Sequence, residues 1–179
     1  AYTITVTDKT APAKVLNALD NKTTVDINAI NITNLSGEAD DIIDAYNSQS
    51  ISNLGNEAIT ITDTSLQVNA LSSIGNKTSG TINVEAVNTL TGSAAELNKA
   101  YIANNFSGLN NQFITLTDTA LDINVLKTLD SRTTAKINAK TINSLTGEAV
   151  QLNTAYESSG ISELENADLI LTDTTLSAS

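Results

Sequence analysis

The sequence predicts an α/β repeat protein, a right-handed solenoid of 55-residue β-α-β-α units with short parallel strands and amphipathic helices, and three observations carry that expectation. Thr-Asp pairs ending at Asp8, Asp63, Asp118 and Asp173 stand 55 residues apart with no insertion or deletion between them, and a fixed period in this range marks stacked supersecondary units. The register holds by column: Leu16, Leu71 and Leu126; Ile27, Ile82 and Ile137; Leu35, Leu90 and Leu145; Gly37, Gly92 and Gly147; Leu54, Leu109 and Leu164. Polar columns drift, as at Asp20, Gly75 and Asp130, which a solvated face allows when only the buried stripe is constrained. Third, no Asn-Gly pair occurs in a chain rich in Asn, so the usual two-residue hairpin signal is missing. Strands separated by helices should then run parallel through right-handed crossovers.

The third unit gives the elements in order. Phe113 to Thr117 reads FITLT, an alternation suited to a short strand. Asp118 follows as the expected N-cap of a helix of about three turns, because Leu121, Val125, Leu126 and Leu129 recur at amphipathic spacing. That helix should end near Ser131, where Arg132, matched by Lys22 and Lys77, complements the C-terminal end of the dipole. Ala135 to Leu145 reads as a second extended stretch, broken into two short strands around Lys140. Thr146 offers a cap oxygen, Gly147 and Glu148 open a second helix, and Ala149, Leu152 and Tyr156 fall on one of its faces. Gly160 and the tract GISELENAD return the chain to the next strand at Leu169. The chain is accordingly expected to be one repeat array over 1–179, with units of about 1–57, 58–112 and 113–167 and a partial fourth at 168–179.

Composition narrows the chemistry. The chain has 179 residues, a net charge of −11 and a pI near 4.1, a balance that argues against nucleic acid or an anionic membrane as partner, since both select basic surfaces. It contains no Cys, Met, Trp or His. Disulfides, thiolate or imidazole metal sites, and Ser-His or Cys-His catalysis are therefore absent from its repertoire. Hydrophobic content of 40% with aromatics at 3% suits a continuous narrow core of aliphatic side chains. No run of about 18 apolar residues suggests a membrane span.

Two recurring columns are candidate sites. Asp8, Asp63, Asp118 and Asp173, with Thr hydroxyls nearby, could offer oxygen ligands to a row of Ca²⁺ ions, but the closely spaced Gly and Asp of calcium repeats and EF-hands are lacking, and helix capping is the preferred reading. Tyr46, Tyr101 and Tyr156 form an aromatic column that would bind a sugar or protein only if it faced solvent; a Tyr on an apolar helix stripe ordinarily belongs to the core. The pair Asp40 and Asp41 does not recur at Ala95 and Glu96 or at Val150 and Gln151, so no catalytic pair of carboxylates is expected. Sequons at Asn21, Asn31, Asn34, Asn76 and Asn105 matter only if the source glycosylates Asn.

The phrases ITITDTSLQVNALSSIGNKTSGTINVEAVNTLTGSAAELNKAY and GISELENADLILTDT resemble the tandem repeats of very large secreted or cell-surface proteins of marine cyanobacteria and similar bacteria. The resemblance covers the whole chain through a Thr-Asp-Thr strand end, an Asn- and Thr-rich second strand and the string Leu-Thr-Gly-x-x-x-x-Leu-x-x-Ala-Tyr. It implies an extracellular or cell-surface structural spacer, adhesive stalk or surface-layer material, often accompanied by calcium, although the glycine-rich calcium nonapeptides are missing here.

The expected function is therefore structural and non-enzymatic: a repeat segment building an extracellular stalk, filament or surface coat. The alternative is an adhesion module recognising glycan or protein along one face of the solenoid. The expected partner is the protein itself, as further repeats or as head-to-tail copies, because Ile4 and Val6 in the first strand occupy the same phase of the repeat as Leu169 and Leu171 in the last. Polar terminal repeats that would close such a stack are not evident at either end. No cofactor is expected apart from possible calcium.

Overall fold

A computed structural model describes residues 2–174 as a mixed α/β structure, with six helices among the described residues and strands that pair in parallel. In chain order the first repeat contains β1 (Ile4–Thr5), β2 (Thr10–Pro12), α1 (Ala13–Asp20), β3 (Ile27–Asn28), β4 (Asn34–Gly37), α2 (Ala39–Asn47) and β5 (Ile51–Ser52). The second contains β6 (Ala58–Ile61), β7 (Ser65–Gln67), α3 (Val68–Gly75), β8 (Ile82–Asn83), β9 (Thr89–Gly92), α4 (Ala94–Ile102) and β10 (Phe106–Ser107). The third repeats the series as β11 (Phe113–Leu116), β12 (Ala120–Asp122), α5 (Ile123–Asp130), β13 (Ile137–Asn138), β14 (Ser144–Gly147), α6 (Ala149–Glu157) and β15 (Ile161–Ser162), and β16 (Asp168–Leu171) opens a fourth.

The elements fall into two compact units. One comprises Ala1–Val87 with Ala103–Leu109, the other Asn88–Ile102 with Asn110–Ser179. In the first, strands are ordered β1-β3-β5 and β10-β8-β6-β4-β2; α1 packs on α2, and α2 on α3. In the second, the runs are β15-β13-β11-β9 and β12-β14-β16, and α4, α5 and α6 pack in series.

Apolar side chains opposite one another along these ladders make the core. Ala11 lies opposite Leu35, Leu35 opposite Ile59, Ile59 opposite Ile82, and Ile82 opposite Phe106. The second unit aligns Leu90, Ile114, Ile137 and Ile161 in the same way. Leu35, Ile59, Ile82, Leu90, Ile114 and Ile137 are all essentially buried, each contributing about 1.5–3 kcal/mol by its removal from water. Helices cover the ladders with residues at i, i+3 and i+6: Ala39, Ile42 and Ala45 in α2, Val68, Leu71 and Ile74 in α3, Ile123, Leu126 and Leu129 in α5.

The small polar residues that dominate the composition build the turns. Asn28, Asn83 and Asn138 each end a strand, and each accepts through its side-chain oxygen from the backbone N–H two residues on, at Ile30, Glu85 and Lys140, over 3.1, 2.8 and 3.0 Å. Thr23, Thr78 and Thr133 accept likewise from Val25, Gly80 and Ala135 over 3.0, 3.0 and 3.2 Å. These are Asx and Ser/Thr turns, in which a short side chain substitutes for a backbone acceptor.

Two sequence expectations need correction. Each repeat holds more strands than β-α-β-α, because β2, β7 and β12 occupy the stretch read as the opening of the first helix and β5, β10 and β15 lie in the returning tract. In the third repeat, Leu121 pairs opposite Leu145 in the ladder, and Asp122 caps α5 by accepting from the Asn124 N–H over 2.8 Å. The helix thus begins four residues later than a cap at Asp118 would place it. The spacing of Leu121, Val125, Leu126 and Leu129 had merged one strand position with a helix stripe. The second helix opens at Ala149, with Thr146 and Gly147 still in β14. Its buried face carries Leu152 and Ala155, leaving Tyr156 on the exposed side.

One column requires left-handed backbone. Asn53 and Glu163 have φ of 65° and 68°, and the equivalent Gly108 has φ of 89°. Asn and Gly accept this region readily, whereas an ordinary L-residue loses about 1–2 kcal/mol there. Glu163 is exposed, so replacing it alters little else. Glu163→Asn should raise stability by about 1 kcal/mol, read as a higher denaturation midpoint; an unchanged or lower midpoint would contradict the strain assignment.

Candidate functional site

The four aspartates do not share one role. Asp63 Oδ2 accepts from the Ala39 N–H over 2.8 Å, Asp118 Oδ2 from Ala94 over 2.8 Å, and Asp173 Oδ2 from Ala149 over 2.7 Å. Each carboxylate therefore caps the first residue of α2, α4 or α6 from a position 24 residues further along the chain. Helix capping was the right chemistry, but the helix is the one behind each Asp and not the one ahead. The reason is visible locally: Glu38 and Glu148, at the cap positions of α2 and α6, make no side-chain cap bond, so the distant carboxylate meets orphan N–H groups at the positive end of the dipole. At α4 it is joined by a capping box, in which Ser93 and Glu96 bond reciprocally. Those bonds hold the Glu96 carboxyl below its ordinary pKa. Asp8 is exposed, whereas the other three are half-buried.

The tyrosine column borders a polar pocket inside the fold. In the first unit Glu57 is 1% exposed, and its carboxylate accepts from the N–H groups of Gly55 and Asn56 and from the Tyr46 hydroxyl. Thr78 donates to the Glu57 carbonyl over 2.7 Å. In the second unit Gln112 occupies the place of Glu57, accepting from the Asn110 N–H over 2.9 Å while Thr133 donates to its carbonyl over 2.9 Å. The Tyr101 hydroxyl is enclosed beside this group without a hydrogen-bond partner. Tyr156, 41% exposed, donates to the Leu164 carbonyl over 2.9 Å. Burial, reinforced by the Glu57 carboxylate, pushes the Tyr46 phenol far above its ordinary value, and burial raises Tyr101 and Tyr156 as well. The column does not form a continuous aromatic strip facing solvent, since Tyr46 and Tyr101 are half-buried.

A third cluster went unnoticed in the sequence because its column is not constant. Asp20 accepts from Ser48 and Ser50 over 2.7 and 2.6 Å, and Asp130 accepts from Ser158 over 2.9 Å. Each clamps the C-terminal region of one helix to that of the next. The cations past the first helices act alongside them: Lys77 donates to the Asn47 side chain over 3.0 Å and Arg132 to the Asn98 carbonyl over 2.9 Å, so both reach the neighbouring helix instead of only their own dipole. The shallow clefts at these clamps, of about 440 and 370 Å³, are floored by carboxylates already engaged by serine hydroxyls.

The proposed contact residues lie at outer strands. Ile4 and Val6 are half-buried, their N–H groups donating to the Asp26 and Asn28 carbonyls over 2.8 and 3.0 Å. Leu169 and Leu171 are 48% and 47% exposed. Among the described residues no group of three or more His, Cys, Asp or Glu is placed to share a metal ion, and no described helix is long and apolar enough to cross a membrane. Comparison with protein families, curated proteins and solved structures finds no match.

Asp118→Ala should cost about 1 kcal/mol of stability while Asp118→Asn costs little, because Asn caps about as well as Asp. Hydrogen exchange at the Ala94 amide, far upstream, should accelerate only in the Ala variant; protection unaltered there would remove the long-range cap.

The tyrosines set an alkaline limit. Unfolded phenols ionise near their ordinary 10.0, while the folded ones resist ionisation, so their contribution is fully present below that pH and falls as pH rises above it. Denaturation midpoints should drop between about pH 9 and 11, less steeply in Tyr46→Phe, which has one fewer raised phenol. Equal slopes in the two proteins would exclude Tyr46 as a source.

Proposed function

We propose that this chain is a non-enzymatic structural repeat segment, a solenoid in which each 55-residue unit supplies two turns of a strand ladder, serving as part of an extracellular stalk, filament or surface coat. The observation that carries the reading is the coincidence of two kinds of contact at nearly one offset. Strand pairing recurs at 23 or 24 residues and the Asp cap at 24, so the same turn is laid down repeatedly. Such a body grows by adding neighbours and not by enlarging a core.

The use of the side chains supports the same reading. Glu57, Asp63, Asp118, Asp173, Asp20 and Asp130 are all engaged in internal hydrogen bonds, so these carboxylates serve the fold. Calcium is not required by this reading, because Asp63, Asp118 and Asp173 already have hydrogen-bonded partners. The next turn of the ladder comes from further repeats of the same chain or from a second copy, and the charge of −11 opposes the latter at low salt.

Insertion of an extra copy of residues 58–112 in phase tests this. The enlarged protein should keep one cooperative transition, melt at a higher temperature, and lengthen by about 10 Å per inserted unit in small-angle scattering, two strand spacings of about 4.8 Å; chelator should change none of these. Loss of cooperative folding on insertion, or a melt lowered by chelator, would defeat the proposal.

A further inference from the structure

We infer that the groove between α4 and α5 is a binding site for an acidic sugar, a uronate residue of a polysaccharide. The inference goes beyond the structural reading above and does not rest on it. The groove encloses about 400 Å³ and is lined by Asn98, Lys99 and Ile102 of α4, by Val125 and Thr128 of α5, and by Arg132 just past α5. That volume falls within the roughly 300–1,000 Å³ of small-molecule sites.

The repeat itself supplies the comparison. One period earlier, the same positions hold Ile43, Asp44, Asn47, Ala70, Ser73 and Lys77. Lys99 stands where Asp44 does, and Ile102 and Val125 stand where Asn47 and Ala70 do, so an acidic, polar set of positions becomes an apolar one with two cations. The common fold does not need this change, because α4 and α5 bury Leu97, Ala100, Leu126 and Leu129 instead. Ile102 is 63% exposed, a large apolar side chain left in water beside Val125, and such a patch rimmed by polar groups marks an interaction site.

Charge selects the ligand. The chain carries 20 acidic and 9 basic residues, yet no carboxylate lines this groove. Among the described residues neither Lys99 nor Arg132 has a carboxylate within 4.0 Å, and Glu96 is drawn back onto the Ser93 hydroxyl over 2.7 Å. Arg132 spends one donor on the Asn98 carbonyl over 2.9 Å, which leaves the rest of its fork for an anion. Asn98 Oδ1 is buried without a hydrogen-bond partner, while Asn98 Nδ2 donates to the Val125 carbonyl over 3.3 Å. An unmet acceptor costs stability until a donor reaches it, so a ligand hydroxyl has a partner here as well as a ligand charge. A uronate ring combines the three features, with a carboxylate for Lys99 and Arg132, hydroxyls for Asn98 and Thr128, and a C–H face for Ile102 and Val125. The net charge of −11 does not forbid this, since at about 0.15 M salt the Debye length is about 8 Å and more distant carboxylates are screened.

The test titrates the full chain with trigalacturonic acid at about 0.15 M salt and follows backbone amide shifts. Saturable shifts should gather in 94–102 and 123–132 and leave α2 and α3 unmoved. Lys99→Asp and Ile102→Asn should each weaken binding about fivefold without moving the melt, since both side chains are exposed. Galactotriose has the hydroxyls without the charge, and octanoate has the charge and the apolar chain without the hydroxyls; each should bind about tenfold more weakly. Absence of a saturable shift, shifts gathered elsewhere, affinities unchanged in both variants, or octanoate or galactotriose binding as tightly as trigalacturonate would overturn the site. None of these results bears on the insertion test of the repeat reading.

Discussion

Parallel pairing at an offset of 23 or 24 residues constrains almost every other feature of this chain. Neighbouring parallel strands cannot be joined by a tight turn, so the chain needs a crossover long enough to return to the strand's starting end. A helix of 8 or 9 residues covers about 12–13 Å at 1.5 Å per residue, and short turns make up the rest. The residues at the cap positions of α2 and α6 make no side-chain cap bond of their own. The cap is supplied from the following turn instead, where the same offset brings Asp63, Asp118 or Asp173 to the open end of α2, α4 or α6. The ladder thus sets the strand register and also completes the helices, which couples the two layers: a strand that slipped by one residue would withdraw its carboxylate from the helix as well as turning its apolar residues outward.

The abundance of Asn, Thr and Ser follows from the same confinement. Backbone groups at each corner need partners, and buried ones left unpaired cost stability. Asn28, Asn83 and Asn138 satisfy one type of corner and Thr23, Thr78 and Thr133 another. Glu57 shows the strongest version, a nearly fully buried carboxylate surrounded by two backbone N–H groups and a phenol. Gln112 keeps the same place with an amide, so charge is not what the position demands. What it demands is an acceptor.

Much of this was legible in the sequence because apolar columns constrain packing directly. The Leu16, Ile27 and Leu35 columns are buried where the repeat places them, the break near Lys140 falls between β13 and β14, and parallel strands follow from the missing hairpin signal. The misreadings share one physical cause. Periodicity reports which residues face inward, and a strand of three residues such as Ala120–Asp122 contributes only one inward residue, Leu121, too few to distinguish it from the start of a helix. Tyr156 escapes the buried stripe for a similar reason: i+7 and i+6 both approximate two turns, and Ala155 takes the buried place. The aspartate caps were hidden more deeply, since donor and acceptor lie 24 residues apart and no local rule connects them. The Asp20 and Asp130 clamps left no column at all, the middle repeat having Gly75.

The mismatch between a sequence period of 55 and a pairing offset of 23 or 24 has a structural consequence that neither number conveys alone. Two offsets fall seven or eight residues short of one period, so equivalent strands of successive repeats do not continue one ladder: β1 lies in the β1-β3-β5 sheet, while its equivalent β6 lies in the β10-β8-β6-β4-β2 sheet. A strand of this phase instead joins the last pairing of one repeat to the first pairing of the next, which is why Ile59 faces Leu35 on one side and Ile82 on the other. Cohesion between repeats then draws on that shared strand and the aspartate just beyond it, together with the packing of α2 on α3 and of α4 on α5. A substitution in β6 or β11 acts on two repeats together, whereas one in β3 or β13 acts within a single repeat. The segment Ile59–Asp63 and its counterparts are therefore the joints of the architecture, and their sequence is the part of the repeat in which apolar alternation and a capping carboxylate are both required.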